Sequence, residues 1–268
     1  MLWVCPNCDS PLARKRQALE CDNRHSFDLA KEGYVNLLPP NKKRSAEPGD
    51  SGSMVAARRT IHDAALYQPL ADHLCALVSE VTTDGSVLDI GCGEGYYDGQ
   101  INTQLPRIRI GGIDIAKPAV RSAAKKYQSN SYAVASSNAL PLNAQSIDLC
   151  FSIFAPTNTD EIRRVLRNAG YYIEVGPAPA HLYQLREALY PSAHEHKPLR
   201  TEIVGLQLVD SGDLDYLNDL TTPLIRAIIA ATPMAHRGDS KLKTSLMSET
   251  AMRLNFAFSW RLYQATTE

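Results

Sequence analysis

The chain has 268 residues, of which 44% are hydrophobic and 21% charged, with a formal net charge of −1. That is enough for one α/β domain with a small appendage, and the composition is that of an ordinary folded protein. No apolar run approaches the length of a membrane span, and the start, Met1-Leu2-Trp3-Val4-Cys5-Pro6, lacks the pattern of a secretory signal. The expected location is therefore the cytoplasm, and the near-neutral charge by itself announces no nucleic-acid partner.

The first 36 residues carry three of the six cysteines, in the spacing Cys5-x2-Cys8-x12-Cys21-x3-His25. In a reducing compartment such a cluster reads as metal ligands rather than disulfides. Two close pairs in tight turns supply a tetrahedral zinc shell with no open position, so the zinc would be structural. A three-cysteine site with His25 at the surface is the alternative. So short a segment buries too little apolar surface to fold alone, and the metal would supply the difference. The predicted organisation is a zinc-binding module over 1–36, a linker over 37–53 and a larger domain over 54–268. The first 60 residues hold ten Lys and Arg against seven Asp and Glu, including Lys42-Lys43-Arg44 and Arg58-Arg59. Solvated surface charge explains so small an excess; nucleic-acid phosphates are the sharper reading.

From Met54 to about Val81 the pattern is helical, with Leu66, Leu70, Leu74, Leu77 and Val81 on one face. Strands then alternate with helices. Strands are expected at 87–90, 108–115, 132–135, 147–154 and 170–175, with helices at 118–127 and 159–167 among the connections. That rhythm means a mostly parallel sheet covered by helices. Beyond about residue 180 the pattern is less readable and is expected to add helices and strands to the same domain.

The first strand runs into Asp89-Ile90-Gly91-Cys92-Gly93-Glu94-Gly95, which leads into a helix. Glycines there allow a tight turn and close approach of a ligand to the backbone. The third glycine comes one residue earlier than in the dinucleotide-binding G-x-G-x-x-G, and the form D-x-G-x-G-x-G resembles motif I of the class I methyltransferases. The second strand ends at Asp114, 19 residues after Gly95, where a carboxylate can accept both ribose hydroxyls of an adenosine group; it also suits a helix N-cap. After the third strand, Asn138 within Ser136–Pro141 is placed to meet the adenine edge. Phe154-Ala155-Pro156, after the fourth, occupies the place where methyltransferases hold a target base, or is simply a turn.

The chain resembles the RlmA family of 23S ribosomal RNA guanine-N1 methyltransferases. The resemblance rests on the zinc segment and on Phe27–Pro39, with its Lys31-Glu32-Gly33-Tyr34-Val35-Asn36-Leu37-Leu38. It continues in Pro48-Gly49-Asp50-Ser51, Ala57-Arg58-Arg59, Tyr67-Gln68-Pro69-Leu70 and Val87–Tyr97. It weakens after about residue 180. It implies zinc on Cys5, Cys8, Cys21 and His25, and S-adenosylmethionine contacts from Tyr67, the Gly93-Glu94 turn and His181. Read without it, Tyr67 is a half-buried helix-end aromatic and His181 an ordinary histidine. It also implies a ribosomal RNA partner, with Lys42, Lys43, Arg44, Arg58 and Arg59 as expected phosphate contacts and the zinc module reading an RNA hairpin. Two copies sharing one RNA, as a homodimer, fits the same picture. No residue is singled out as the proton acceptor. A nicotinamide-dependent oxidoreductase, a degenerate zinc-containing RNA-binding protein and a small-molecule methyltransferase stand as competitors. The early third glycine, the intact acidic positions and the N-terminal module weigh against them in turn.

Overall fold

The computed structural model describes residues 3–42, 48–190, 195–232, 234, 246 and 251–266. Three short antiparallel strands, β1 (Ala13–Lys15), β2 (Ala18–Glu20) and β3 (Ser26–Asp28), form the N-terminal ribbon. The chain then leaves the ribbon through β4 (Val35–Asn36), which pairs in parallel with β7 (Ser131–Val134) at the edge of the main sheet. The segment read as wholly part of the zinc module thus contributes a strand to the larger domain. Two residues carry no periodicity of their own, so sequence pattern had nothing to show there.

Helix α1 (Gly52–Asp63) begins at Ser51, whose hydroxyl accepts from the Met54 N–H at 3.3 Å. The helical stretch expected from Met54 to Val81 is two helices. α1 ends where Ala65 adopts φ +57°, and α2 (Gln68–Val81) follows with Pro69 in its first turn. Leu70, Leu74 and Leu77 form the buried stripe of α2.

The main sheet has eight strands in the order β10-β11-β9-β8-β5-β6-β7-β4. Its centre is β5 (Ser86–Ile90), flanked by β6 (Arg109–Asp114) and β8 (Ile147–Ile153). All strands run parallel except β11 (Ala251–Ala265), which is antiparallel to both β9 (Leu166–Pro177) and β10 (Leu206–Thr221). Val87, Leu88 and Ile90 are fully buried, as strands covered on both faces require. The helices α3 (Tyr96–Gln104), α4 (Lys117–Lys126), α5 (Thr159–Val165), α6 (Tyr183–Leu189) and α7 (Thr222–Ala231) complete the cover. Helix α5 stops at Val165, two residues before the expected end, and β9 starts at Leu166 rather than Gly170. No helix among the described residues is long and apolar enough to cross a membrane.

The chain moves from β5 out to β7 on one side, then returns to β8 on the other. That reversal opens a crevice at the carboxyl ends of β5 and β8, where ligands of open α/β sheets bind. The ribbon is docked on the same half of the sheet. Trp3, Leu12, Cys5 and Cys21 share one buried cluster with Leu140, Leu142, Ile162 and Leu166. The Val4 N–H donates to the Pro141 carbonyl at 2.9 Å. Arg164 of α5 holds the same loop from below, donating to the Leu142 carbonyl at 2.7 Å and the Leu140 carbonyl at 2.8 Å, while Glu161 accepts the Leu140 N–H at 2.6 Å. Replacing Arg164 with Met leaves those carbonyls without their donor and Glu161 without its ion pair. With the arginine side chain 37% exposed, solvent softens the loss, and we expect about 1–2 kcal/mol of destabilisation in urea unfolding.

Candidate cofactor site and metal centre

The metal centre is built from the two turns of the ribbon. The four ligand atoms of Cys5, Cys8, Cys21 and His25 lie within 4.8 Å of one another. Cys8 Sγ and Cys21 Sγ are 3.8 Å apart, and His25 Nδ1 lies 3.4 to 3.5 Å from the three sulfurs. A tetrahedral ion about 2.3 Å from sulfur and about 2.0–2.1 Å from nitrogen would space its ligands by about 3.8 Å (S to S) and about 3.5 Å (S to N). The donor set therefore fits zinc in both chemistry and spacing. Four protein ligands leave no position for a reacting water, which makes the site structural. His25 is brought in as the fourth ligand, not left at the surface.

The second site lies in the crevice. Gly91 adopts φ +84°, and a Cβ on it would sit 2.3 Å from the Ala155 Cβ, so only glycine lets the loop pass under Phe154–Pro156. Gly93, at φ +54°, is different: a Cβ there would meet no atom within 4 Å. Its neighbourhood is a cradle open to a ligand. The Gly93 N–H donates to Asp114 Oδ2 at 3.0 Å, and the Ala116 N–H to Oδ1 at 2.7 Å. Asp114 thus acts within its own turn and is fixed in place, with one further lone pair on each oxygen for a ribose hydroxyl.

Two cavities meet here, sharing Arg58, Gly91, Gly93 and Phe154–Pro156 in their walls. The smaller, about 290 Å³, is bounded by Asp114, Ile115, Ser137 and Asn138. The larger, about 760 Å³, runs from Tyr67 and the glycine turn to His181 and Glu174. Together they suit a ligand with an adenosine end in the smaller space and a second group reaching into the larger. The structure brings Tyr67, Asp89, Gly91, Gly93, Glu94, Asp114, Asn138 and His181 to this pair of cavities. Gly95 lies beneath, as the left-handed N-cap of α3.

Asp89 is buried beside Asp98 of α3, and burial, then the neighbouring carboxylate, pushes its carboxyl up strongly. Burial favours the neutral form of Asp89, and Tyr132 donates to Asp98 at 3.0 Å. Glu94 is buried, accepting from Arg59 Nε at 3.1 Å and pairing with His62 Nδ1 at 2.9 Å. Burial would raise its carboxyl, but His62 and then Arg59 outweigh that and hold it below the ordinary range. Its ionised form is bound more tightly folded than unfolded. The stability it contributes is complete above about pH 4.5 and is lost as pH falls through the lower folded value. A Glu94→Gln variant should show a shallower decline of melting temperature below pH 4.5, checked by calorimetry.

Of the two arginines expected as phosphate contacts, Arg58 lines the crevice and Arg59 stands half-exposed beside Glu94. Arg58 pairs with Asp50 at 2.8 Å and lines both cavities, and Arg59 pairs with Glu94 and donates to Ser122. Four-residue spacing on α1 puts Arg58 and His62 on one face, and both line the larger cavity; that spacing is the sequence signal for His62. Lys42 closes a short 3-10 turn, Pro40–Lys42, while Lys43 and Arg44 lie outside the described residues.

Tyr67 and Phe154 line the larger cavity, backed by the buried rings of Phe256 and Phe258. Tyr67, at the N-cap of α2, meets Phe154, Phe256 and Phe258 at ring separations of 6.4, 5.5 and 5.6 Å, and burial pushes its hydroxyl up to about 12. His181 accepts the Ala257 N–H on Nδ1 at 3.2 Å and packs on Phe258 at 4.9 Å. Burial, and less strongly the charges of His196 and Arg186, lower it to about 3, so it is neutral with its proton on Nε2. Phe154 is 38% exposed at φ +55°, a strained backbone for an aromatic residue at the mouth of a pocket. Phe256 and Phe258, alternate residues of β11, back this wall without a sequence signal, because their strand arrives by non-local antiparallel pairing with β9 and β10.

A strand–glycine turn–helix over a carboxylate that ends the next strand, on this strand order, defines a class I methyltransferase with S-adenosylmethionine as its cofactor. Residues 87–173 match a methyltransferase-domain family, and residues 3–46 match the zinc ribbon described as "RlmA, N-terminal". A methyltransferase solved with the Haloferax volcanii Trm112 activator superposes with a TM-score of 0.54 at 17% identity, covering 82% of this chain and all of that one. The chain belongs to the family of 23S rRNA (guanine-N1)-methyltransferases. It is 38% identical over 189 residues to the 23S rRNA (guanine(748)-N(1))-methyltransferase of Streptomyces fradiae, spanning 69% of this chain and 66% of that protein. It is 31% identical over 262 residues to YxjB of Bacillus subtilis, spanning 92% and 91%, whose name carries guanine-N1 methylation of 23S rRNA as a provisional assignment.

Proposed function

We propose that the protein transfers a methyl group to N1 of a guanine in a hairpin loop of 23S ribosomal RNA, in the cytoplasm. The observation that carries this reading is the joined pair of cavities. The smaller is bounded by Asp114 and Asn138, and the larger offers an aromatic wall with room for a base beyond the Gly93 cradle. Bound S-adenosylmethionine supplies a methyl group activated by its sulfonium. The chain's own contribution is position: Asp114 and the glycine turn fix one end, and Tyr67 and Phe154, backed by Phe258, exclude water around the reacting atoms. A flipped or looped-out base has a face of Phe154 on which to stack. RNA contact falls to the ribbon, whose Arg14, Lys15, Arg16 and Arg24 are exposed.

The test is methyl uptake from labelled S-adenosylmethionine into protein-free 23S rRNA, 16S rRNA and transfer RNA, each from cells lacking the activity. Uptake confined to 23S rRNA is expected. Equal uptake into all three, or into small-molecule acceptors instead, would overturn the assignment of acceptor.

A further inference from the structure

We propose that Glu174 is the group that receives the N1 proton of the acceptor guanine, gripping the N1–H and the exocyclic N2–H with its two carboxylate oxygens. The inference rests on the guanine-N1 reading above. In neutral guanine N1 carries a hydrogen, and its electron pair becomes available for attack as that proton leaves. A methyltransferase acting there gains from an acceptor within hydrogen-bond reach of the base edge.

Three carboxylates line the larger cavity, and two are already committed. Asp89 lies fully buried under the glycine turn, where burial and the Asp98 charge favour its neutral form, and Glu94 is held by Arg59 and His62. Glu174, near the carboxyl end of β9, is the third. Its Oε2 is buried and has no hydrogen-bond partner among the described residues. The imidazoles serve less well. His181 is neutral with Nδ1 occupied by the Ala257 N–H, and His62 is stacked on Tyr96 at 4.1 Å and paired with Glu94. Burial, then Arg186, makes His196 a weaker proton acceptor than a free histidine.

The surroundings of Glu174 suit the role. Arg200, in the segment after the α6 turn, and Arg261, its cross-strand neighbour on β11, supply positive charge, yet neither forms an ion pair with it among the described residues. Tyr172 on its own strand and Tyr263 on β11 stay protonated, their hydroxyls pushed up by burial and then by Glu174. Ser152, opposite on β8, is bonded to Tyr172 at 2.8 Å. Burial raises the Glu174 carboxyl above its ordinary range against the pull of the two arginines, which narrows its gap to the guanine proton. In the step, guanine N1 forms a bond to the methyl carbon. The carbon–sulfur bond breaks with its electron pair left on sulfur, and the N1 proton passes to Glu174, which later releases it to water.

The experiment compares wild type, Glu174→Gln and Glu174→Asp on 23S rRNA, and on RNA carrying inosine, which lacks the N2 amino group, at the methylated position. For Glu174→Gln the expected result is a kcat lower by about 100-fold or more, with the cofactor Kd from calorimetry changed by less than about threefold. The limb of the kcat profile that rises with pH through the Glu174 titration should be lost in Glu174→Gln and retained in Glu174→Asp. Wild type should prefer guanine to inosine, and Glu174→Gln should lose that preference. A Glu174→Gln enzyme with unchanged kcat, or with the same rising limb, overturns the proposal and points to His196. If Glu174→Gln does not fold, Glu174→Asp decides: loss of the limb or of the guanine preference despite a retained carboxylate overturns it. A wild type that places no methyl on guanine N1 removes the underlying reading; a wild type that does, beside an unaffected variant, removes only this proposal.

Discussion

Replacing Cys21 with Ser should both destabilise the protein and weaken its hold on S-adenosylmethionine, although Cys21 belongs to the metal centre and not to the cofactor cavities. A structural zinc in an isolated finger is worth about 10–16 kcal/mol of binding free energy, and that free energy is folding free energy for so small a module. Here the ribbon also packs on the loop after β7. Val4 donates to Pro141, and Trp3, Leu12, Cys5 and Cys21 share a buried cluster with Leu140 and Leu142. The same loop presents Ala135, Ser136, Ser137 and Asn138 to the smaller cavity. When the ribbon loosens, the loop keeps Arg164 and Glu161 beneath it and loses its outer support. We expect loss of ribbon structure, a melting temperature lower by about 5 °C or more, and a cofactor Kd weakened by about tenfold, equivalent to about 1.4 kcal/mol. Chelation of the wild-type metal should reproduce the shift in Kd, and zinc should reverse it. An unchanged Kd in the metal-free protein would show that the ribbon and the cofactor loop are independent.

Gly93→Val should abolish cofactor binding while leaving the fold intact. Two costs act separately. The left-handed φ of +54° costs a β-branched residue about 1–2 kcal/mol, a loss the domain can absorb. The Val side chain then points into space where no protein atom lies within 4 Å of its Cβ, so it displaces the ligand rather than the protein. A decrease in affinity of about 100-fold or more is expected, with a melting temperature within a few degrees of wild type in the absence of cofactor. Gly91→Val is the contrast. Its Cβ would overlap Ala155, so the loop itself must move, and stability should fall along with binding. A Gly93→Val protein that still binds S-adenosylmethionine normally would place the cofactor elsewhere.

The parts of the molecule legible in the sequence are those where chemistry is local. Cys5, Cys8, Cys21 and His25 are close in the chain because two turns must each deliver two ligands. The glycine turn could be read because strand, turn and helix are contiguous, and Asp114 because the next strand has a fixed length. The wall of the larger cavity obeys a different logic. Phe256 and Phe258 come up behind Tyr67 through the pairing of β11 with β9 and β10, and Glu174 becomes a cavity residue only when β9 is inserted between β8 and β11. Pairing across 80 residues leaves no trace in a window of ten. Arg58 and Arg59 show what adjacent charge alone does not reveal. Two neighbouring arginines suggest phosphate; the fold adds their carboxylate partners, half-buried Asp50 and buried Glu94. The helix break at Ala64–Tyr67 was hidden for a related reason: Ala65 takes a left-handed backbone with no glycine to announce it.

The measurement closest to the central claim is nucleoside analysis of 23S rRNA methylated by the purified protein, with digestion to single nucleosides and separation of the methylated guanosines. The account predicts 1-methylguanosine as the methylated product, from one hairpin of the RNA. Methyl groups found on N2 or N7 of guanosine, or on another nucleoside, would contradict it.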